Sequence, residues 1–172
     1  MLPRQWKLLV VCIGLFIACG SEDESSINKK RMPDLQYVYS STESDDNIEL
    51  SVSGTFDLYG TDPRVFSDPI GIIYSFDDSI GFKPAGRRFG LILSDPNWYS
   101  KDTLILKDTI PGGPALSLIF NGRYRGLDSC WSEIYEYAES KGYEYILPGI
   151  EVYRGHGAES LAVATELIIR IK

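Results

Sequence analysis

Apolar and polar residues alternate in several short runs, and a period of two predicts strands with one buried face. Ile48, Leu50 and Val52 alternate with Glu49, Ser51 and Ser53, and Phe56 and Leu58 continue that face past Gly54. Ile70, Ile72, Tyr74 and Phe76 form a second run and Phe89, Leu91 and Leu93 a third, with a Gly- and Pro-bearing connection between them that predicts a hairpin. Residues 103–108 and 115–120 read as two strand segments interrupted at Pro111, Gly112, Gly113 and Pro114, where proline's missing donor predicts a bend. Residues 150–153 and 161–171 complete the set. In the last run Val163, Thr165, Leu167, Ile169 and Ile171 share one face, and Ala164, Glu166 and Ile168 the other.

Helical spacing is clear once. Leu127, Cys130, Trp131, Ile134 and Ala138 fall on one face of a helix over about 129–141, with Asp128 or Ser129 as its cap and Gly142 as its stop. Glu133, Glu136 and Glu139 project toward water. Strands dominate, which defines an α+β class with the helix packed on an antiparallel sheet. Residues 19–46 are rich in Ser, Asp, Glu and Lys and read as an acidic, polar tether ahead of a domain over 47–172. Within that tether only the patch from Leu35 to Tyr39 is apolar enough to dock.

The first 18 residues stand apart from the fold. Arg4 and Lys7 give a positive start, residues 8–18 are uninterruptedly apolar, and small Ala18 precedes Cys19, the layout of a signal peptide. Its apolar stretch falls well short of the ~20 residues of a spanning helix. LFIACG resembles the lipobox of bacterial lipoproteins, with Phe16 where that pattern has Leu, Val or Ile. The resemblance implies cleavage before Cys19, lipid (palmitate among the chains) on its sulfur, and a protein held at the cell envelope through the membrane. Glu22, Asp23 and Glu24 follow at once; such a cluster resembles a surface-export signal and reads equally well as a solvated tether. The expected place is thus the outer membrane, with exposure on the cell surface left open.

The 172 residues are 44% hydrophobic and 24% charged, enough for one globular domain with appendages. Without residues 1–18 the chain keeps 24 acidic and 15 basic residues (17 − 2), a formal charge of −9 that disfavours nucleic acid as a partner. With Cys12 in the signal and Cys19 lipidated, Cys130 stands alone on the helix's apolar face, where a thiol behaves as a small buried hydrophobe.

From Pro111 onward the residues carry a family resemblance. The succession PGGPALSLIFNGRYRGL, a helix ending in KGY, PGIEVY and ATELIIRI is similar, segment by segment, to the second half of GyrI-like (AraC-type effector-binding) domains. DPIGIIYSFDD followed by RRFGLILS resembles the first-repeat hairpin of that family, and the whole similarity covers about 48–172. It implies two pseudo-repeated strand-helix-strand-strand units forming a concave sheet with a pocket between them. The first-repeat helix is shortened, since only about 61–67 are available for it. The family's ligands are hydrophobic and often cationic. Carried over position by position, the ligand-binding residues are Glu151 and Tyr153 of PGIEVY, Glu166 of ATELIIRI, Tyr124 of GRYRGL and Tyr74 of IGIIY.

Residue chemistry supports part of this. Glu151 and Tyr153 stand two apart on one strand and share a face opposite Ile150 and Val152. A carboxylate at Glu166, amid apolar neighbours, is costly unless paired, hydrogen-bonded or protonated. Left unpaired beside aromatic rings it favours an organic cation; Arg154, Arg170 or a tyrosine hydroxyl would instead satisfy it internally. His156 is the only histidine and sits in a glycine-flanked loop, so neither a catalytic triad nor a multi-histidine metal site is expected, and no haem, nucleotide or other cofactor. Trp131 belongs either to the core or to the pocket wall.

The expected function is a membrane-anchored module that binds a hydrophobic, cationic or aromatic small molecule, with Glu151 and Glu166 as charge partners. Two alternatives stay open. One is a hydrolase of electrophilic xenobiotics using Glu166 or Glu151 as general acid; the other is an envelope protein-protein interaction module without a ligand.

Overall fold

The computed structural model describes residues 27–40, 65–77, 79, 82–101, 103–122, 124–154 and 163–172. The expected signal peptide, Cys19, the strand expected from Ile48 to Leu58 and His156 lie outside the described residues.

The described residues form one antiparallel sheet and one helix. In chain order the strands are β1 (Asn28–Met32), β2 (Leu35–Ser40), β3 (Phe66–Asp77), β4 (Lys83–Leu93), β5 (Ile105–Ile110) and β6 (Gly113–Gly122), then α1 (Leu127–Ser140), β7 (Tyr145–Arg154) and β8 (Val163–Ile171). Across the sheet they run β1-β6-β8-β7-β3-β4-β2-β5. The expected β3–β4 hairpin is present, as are the two predicted faces of β8: Leu167, Ile169 and Ile171 pack on the helical side and Ile168 on the other.

One expectation is corrected. Residues 28–40, read as tether, are two strands of the sheet, with Met32, Tyr37 and Val38 buried. The charged sequence NKKRM misleads because β1 is an outer strand. An edge strand is held by backbone bonds on one side only, and lysine on such an edge discourages further pairing.

Segment 28–40 pairs with 105–117 in one unbroken register, from Asn28↔Ser117 through Met32↔Gly113 and on from Leu35↔Ile110 to Ser40↔Ile105. This ribbon bends at Pro33–Asp34 on one strand and at Pro111–Gly112 on the other, as the prolines predict. The Gly112 N–H donates to Asp34 Oδ1 at 2.7 Å. A Cβ on Gly112 would lie 2.5 Å from the Met32 carbonyl oxygen, so the crossing requires glycine. Because β1 and β5 are opposite edges of the sheet, the ribbon draws those edges together and curls the sheet.

The curl gives the sheet two buried faces. Met32, Tyr37, Ile70, Ile72, Ile110, Ala115, Ile150, Val152 and Ile168 pack inside it without any helix. On the outer face Leu127, Cys130, Trp131, Ile134 and Ala138 of α1 meet Ile73, Phe89, Leu116, Leu118, Tyr153, Leu167, Ile169 and Ile171. At about 25 cal/mol per Å² of apolar area removed from water, that helix stripe is what keeps α1 folded.

Helix α1 begins two residues earlier than its spacing suggests. It follows a 3₁₀ turn at Tyr124–Gly126, and neither Asp128 nor Ser129 caps it by side chain; the Ser129 hydroxyl donates instead to the Gly126 carbonyl at 2.8 Å. Its end is as expected. Gly142 takes φ +70°, and Gly142 and Tyr143 donate their N–H groups to Glu139 and Ala138 carbonyls. The buried Cys130 thiol is pushed up from its ordinary pKa by burial, and by Glu133.

Candidate functional site

At the middle of the sheet, β7 pairs with β3, and Gly71 lies directly opposite Glu151. The odd-numbered residues Gly149, Glu151 and Tyr153 of β7 point to the side that α1 covers, so Glu151 is built into an apolar surface and is 0% exposed. Leaving a carboxylate there unpaired would cost several kcal/mol. Three donors prevent that. Arg87 Nη2 reaches across from β4 to Oε1 at 2.9 Å, Trp131 Nε1 descends from α1 to the same oxygen at 2.8 Å, and the Tyr153 hydroxyl donates to Oε2. Bonds of this charge-assisted kind each contribute roughly 1.5–3 kcal/mol net.

Gly71 supplies the space. A Cβ there would stand 2.7 Å from the Tyr153 hydroxyl and 2.9 Å from Glu151 Oε2, so any side chain opposite Glu151 would displace the pair. Aromatic rings surround the constellation. Tyr124 meets Tyr153 edge-on at 5.4 Å, Phe89 lies 6.2 Å from it on the other side, and Phe76 packs at 5.1 Å against Trp131. Phe82 stacks between Phe76 and Tyr135, tying the tip of the β3–β4 hairpin to α1. Beside Tyr153, Thr165 carries a buried hydroxyl without a hydrogen-bond partner.

Electrostatics fix the protonation of the partners. Burial lowers the Arg87 pKa, but the charge and hydrogen bond of Glu151 outweigh it and the guanidinium stays charged. Burial and then the charge of Glu151 hold the Tyr153 phenol well above its ordinary pKa, so it remains a proton donor. The cluster is therefore an ion pair with two neutral donors. Of the three donors to Glu151, Trp131 and Tyr153 are 0% exposed, while the Arg87 side chain is 16% exposed.

Five residues were expected to line one pocket, and the structure brings three of them together: Glu151, Tyr153 and Tyr124. Glu166 belongs to the opposite face. Its cross-strand partner is Val152, so it shares the side of Ile150 and Val152, away from Glu151. There it accepts hydrogen bonds from Lys30 and, at 2.7 Å, from Arg154 Nη2; Arg154 Nη1 lies 3.7 Å from Asp68. Burial raises the Glu166 pKa, but the hydrogen bonds and charges of Lys30 and Arg154 prevail and hold it below its ordinary value. This replaces the unpaired pocket carboxylate with an internally satisfied ion pair, and a carboxyl held charged is poorly suited to the general-acid role.

Tyr74 is also on the far face, 39% exposed, because it keeps the parity of Ile70 and Ile72. The Arg88 guanidinium lies between the rings of Tyr74, at 4.8 Å, and Tyr39, at 4.1 Å. Sequence reasoning missed Arg87 and Gly71. Arg87 precedes Phe89 and Leu91 at period two, so it extends a buried face, and a charge on such a face demands a counter-charge. Gly71 has no sequence signal of its own.

No protein-family model matches the chain, and no curated protein matches it by sequence. Solved structures do share its fold. The C-terminal domain of EcmrR superposes with a TM-score of 0.63 at 17% identity, covering 85% of this chain and 96% of that one. A hydrolase from Listeria innocua gives 0.56 at 12% identity over 86% and 92% of the two chains. An integron cassette protein from Vibrio cholerae gives 0.50 at 13% identity over 85% and 95%. At these identities the likeness establishes the fold alone: an α+β arrangement of one antiparallel sheet with a helix packed on it.

Proposed function

We propose that this chain is a lipid-anchored, GyrI-like ligand-binding module of the cell envelope, taking a hydrophobic aromatic small molecule over Glu151. The observation that carries the reading is the polar cluster itself. Glu151, Arg87, Tyr153 and Trp131 are gathered from β7, β4 and α1 onto an aromatic-walled floor, at the seam between the β3–β4 hairpin and the second half of the chain. A mostly apolar site with a few convergent polar groups is the usual form of a small-molecule pocket. The strand order supports a two-unit reading, since β2-β4-β3 on one side of the seam mirrors β6-β8-β7 on the other. The fold shared with the EcmrR C-terminal domain supports the same assignment.

The hydrolase alternative keeps two supports, the buried carboxylate with a neighbouring phenol and the fold shared with a protein described as a hydrolase. Of Glu151 and Glu166, Glu151 is then the candidate acid.

The test is a thermal-shift and native mass spectrometry screen of the purified full chain against aromatic amphiphiles, comparing the native chain with Tyr153→Phe and Tyr124→Leu. A ligand at a hundred times its Kd stabilises by about 2.7 kcal/mol, which such a screen resolves. A ligand-dependent shift that both substitutions weaken is expected. A shift that neither alters, or no shift from any amphiphile, would remove this reading. Mass analysis of the N-terminal peptide tests the anchor separately, by the presence of diacylglycerol on Cys19.

A further inference from the structure

We infer that Arg87 is the charge selector of this site: its guanidinium occupies the position an organic cation would take against Glu151, so the site admits neutral aromatic molecules and excludes cations. The inference rests on the ligand-binding reading above and sharpens it, because the sequence alone left a cationic ligand as the expectation.

Arg87 Nη2 sits 2.9 Å from Glu151 Oε1, hydrogen-bond distance for any cationic donor, and Trp131 Nε1 already takes that oxygen's second bond at 2.8 Å. The remaining oxygen accepts from the Tyr153 hydroxyl, with Gly71 beneath it. Trp131 and Tyr153 are fully buried, and among the three donors Arg87 alone reaches solvent, with 16% of its side chain exposed. A molecule approaching Glu151 therefore meets the Arg87 side chain first. A cation arriving there would place two positive charges against one carboxylate in a site of low dielectric, where like charges repel strongly. A neutral ring meets no such penalty, and a planar guanidinium favours stacking with a ring.

The probes are a ring pair that differs by one N-methyl group and its positive charge: N-methylacridinium, and acridine at a pH where it is uncharged. Binding of each to the purified full chain is followed by fluorescence titration for the native protein, Arg87→Met, Arg87→Lys and the double substitution Arg87→Met with Glu151→Gln. The native chain should prefer acridine. Arg87→Met should raise N-methylacridinium affinity about tenfold or more by leaving the carboxylate to the ligand, with acridine changed less than about twofold. Arg87→Lys keeps a positive charge and should keep the native preference, while the double substitution should erase the gain. Should Arg87→Met fail to fold, the native chain and Arg87→Lys still decide. Native binding of N-methylacridinium as tight as that of acridine would overturn the selector, and so would a gain that survives removal of the Glu151 charge. Failure of both rings to bind every variant would instead remove the binding site on which the selector depends.

Discussion

Glu151 and Glu166 lie on neighbouring strands of one sheet, and each is held by an ion pair. Glu151 is buried under α1 with the Arg87 guanidinium, an indole and a phenol around it. Glu166 lies toward the rim of the opposite face, between Lys30, whose side chain is 35% exposed, and Arg154, 52% exposed. Pairing chemistry is shared; the surroundings differ. For Glu166 water is close enough to compensate for a lost partner, whereas Glu151, fully buried, depends on Arg87, Trp131 and Tyr153 in place of water. The contrast shows why a glutamate in an apolar run marks a site only when its counter-charge is buried with it.

That contrast sets an order of expected effects. Glu151→Ala takes a hydrogen-bond acceptor from Arg87, Trp131 Nε1 and the Tyr153 hydroxyl at once. Equilibrium denaturation should show a loss of about 3–5 kcal/mol. A loss below about 1 kcal/mol would mean that water reaches the cluster, and the contrast with Glu166 would collapse. Next comes Gly71→Ala, which adds no charge and removes no bond but places a methyl on the Tyr153–Glu151 contact. Overpacking of this kind should cost about 1–3 kcal/mol, read from the same denaturation curves.

Glu166→Gln should cost about 1 kcal/mol or less, since its cations are largely solvated. Its signature is in the pH dependence. The folded Glu166 pKa is lowered, so the stability it contributes is complete above the ordinary carboxylate value of 4.5 and fades as pH falls through the lower folded value. Denaturation midpoints across that acidic range should converge for the native chain and Glu166→Gln. Parallel curves would mean that the ion pair contributes nothing.

Much of the fold was legible in period two and period 3.6. The β3–β4 hairpin, the bend at Pro111, the buried stripe of α1 and the alternation along β8 all follow from apolar spacing, because burial on one face imposes a repeat on the sequence. Segment 28–40 was misread for the converse reason. An edge strand such as β1 needs backbone partners more than apolar side chains, so NKKRM carries no periodic trace. Of the site, Glu151, Tyr153 and Tyr124 were legible through a family resemblance and through strand parity. Glu166 and Tyr74 were joined to them wrongly, because alternation tells which residues of one strand share a face and is silent on which faces of different strands coincide. Applied across the observed registers, the same parity separates them at once: Glu151 aligns with Gly71 and Leu167, and Glu166 with Val152. Arg87 could be found only by treating a charge on an apolar face as a question about its partner.

Asn28, the first residue of β1, is nine positions beyond Cys19. Nine residues at full stretch cover only about 30 Å. With acyl chains on Cys19, as proposed, such a tether would keep the start of β1 within about 30 Å of the lipid surface. A binding module of the proposed kind, so placed, would sample the water layer next to the lipid surface where amphiphiles collect, and local enrichment there would relax the affinity it needs.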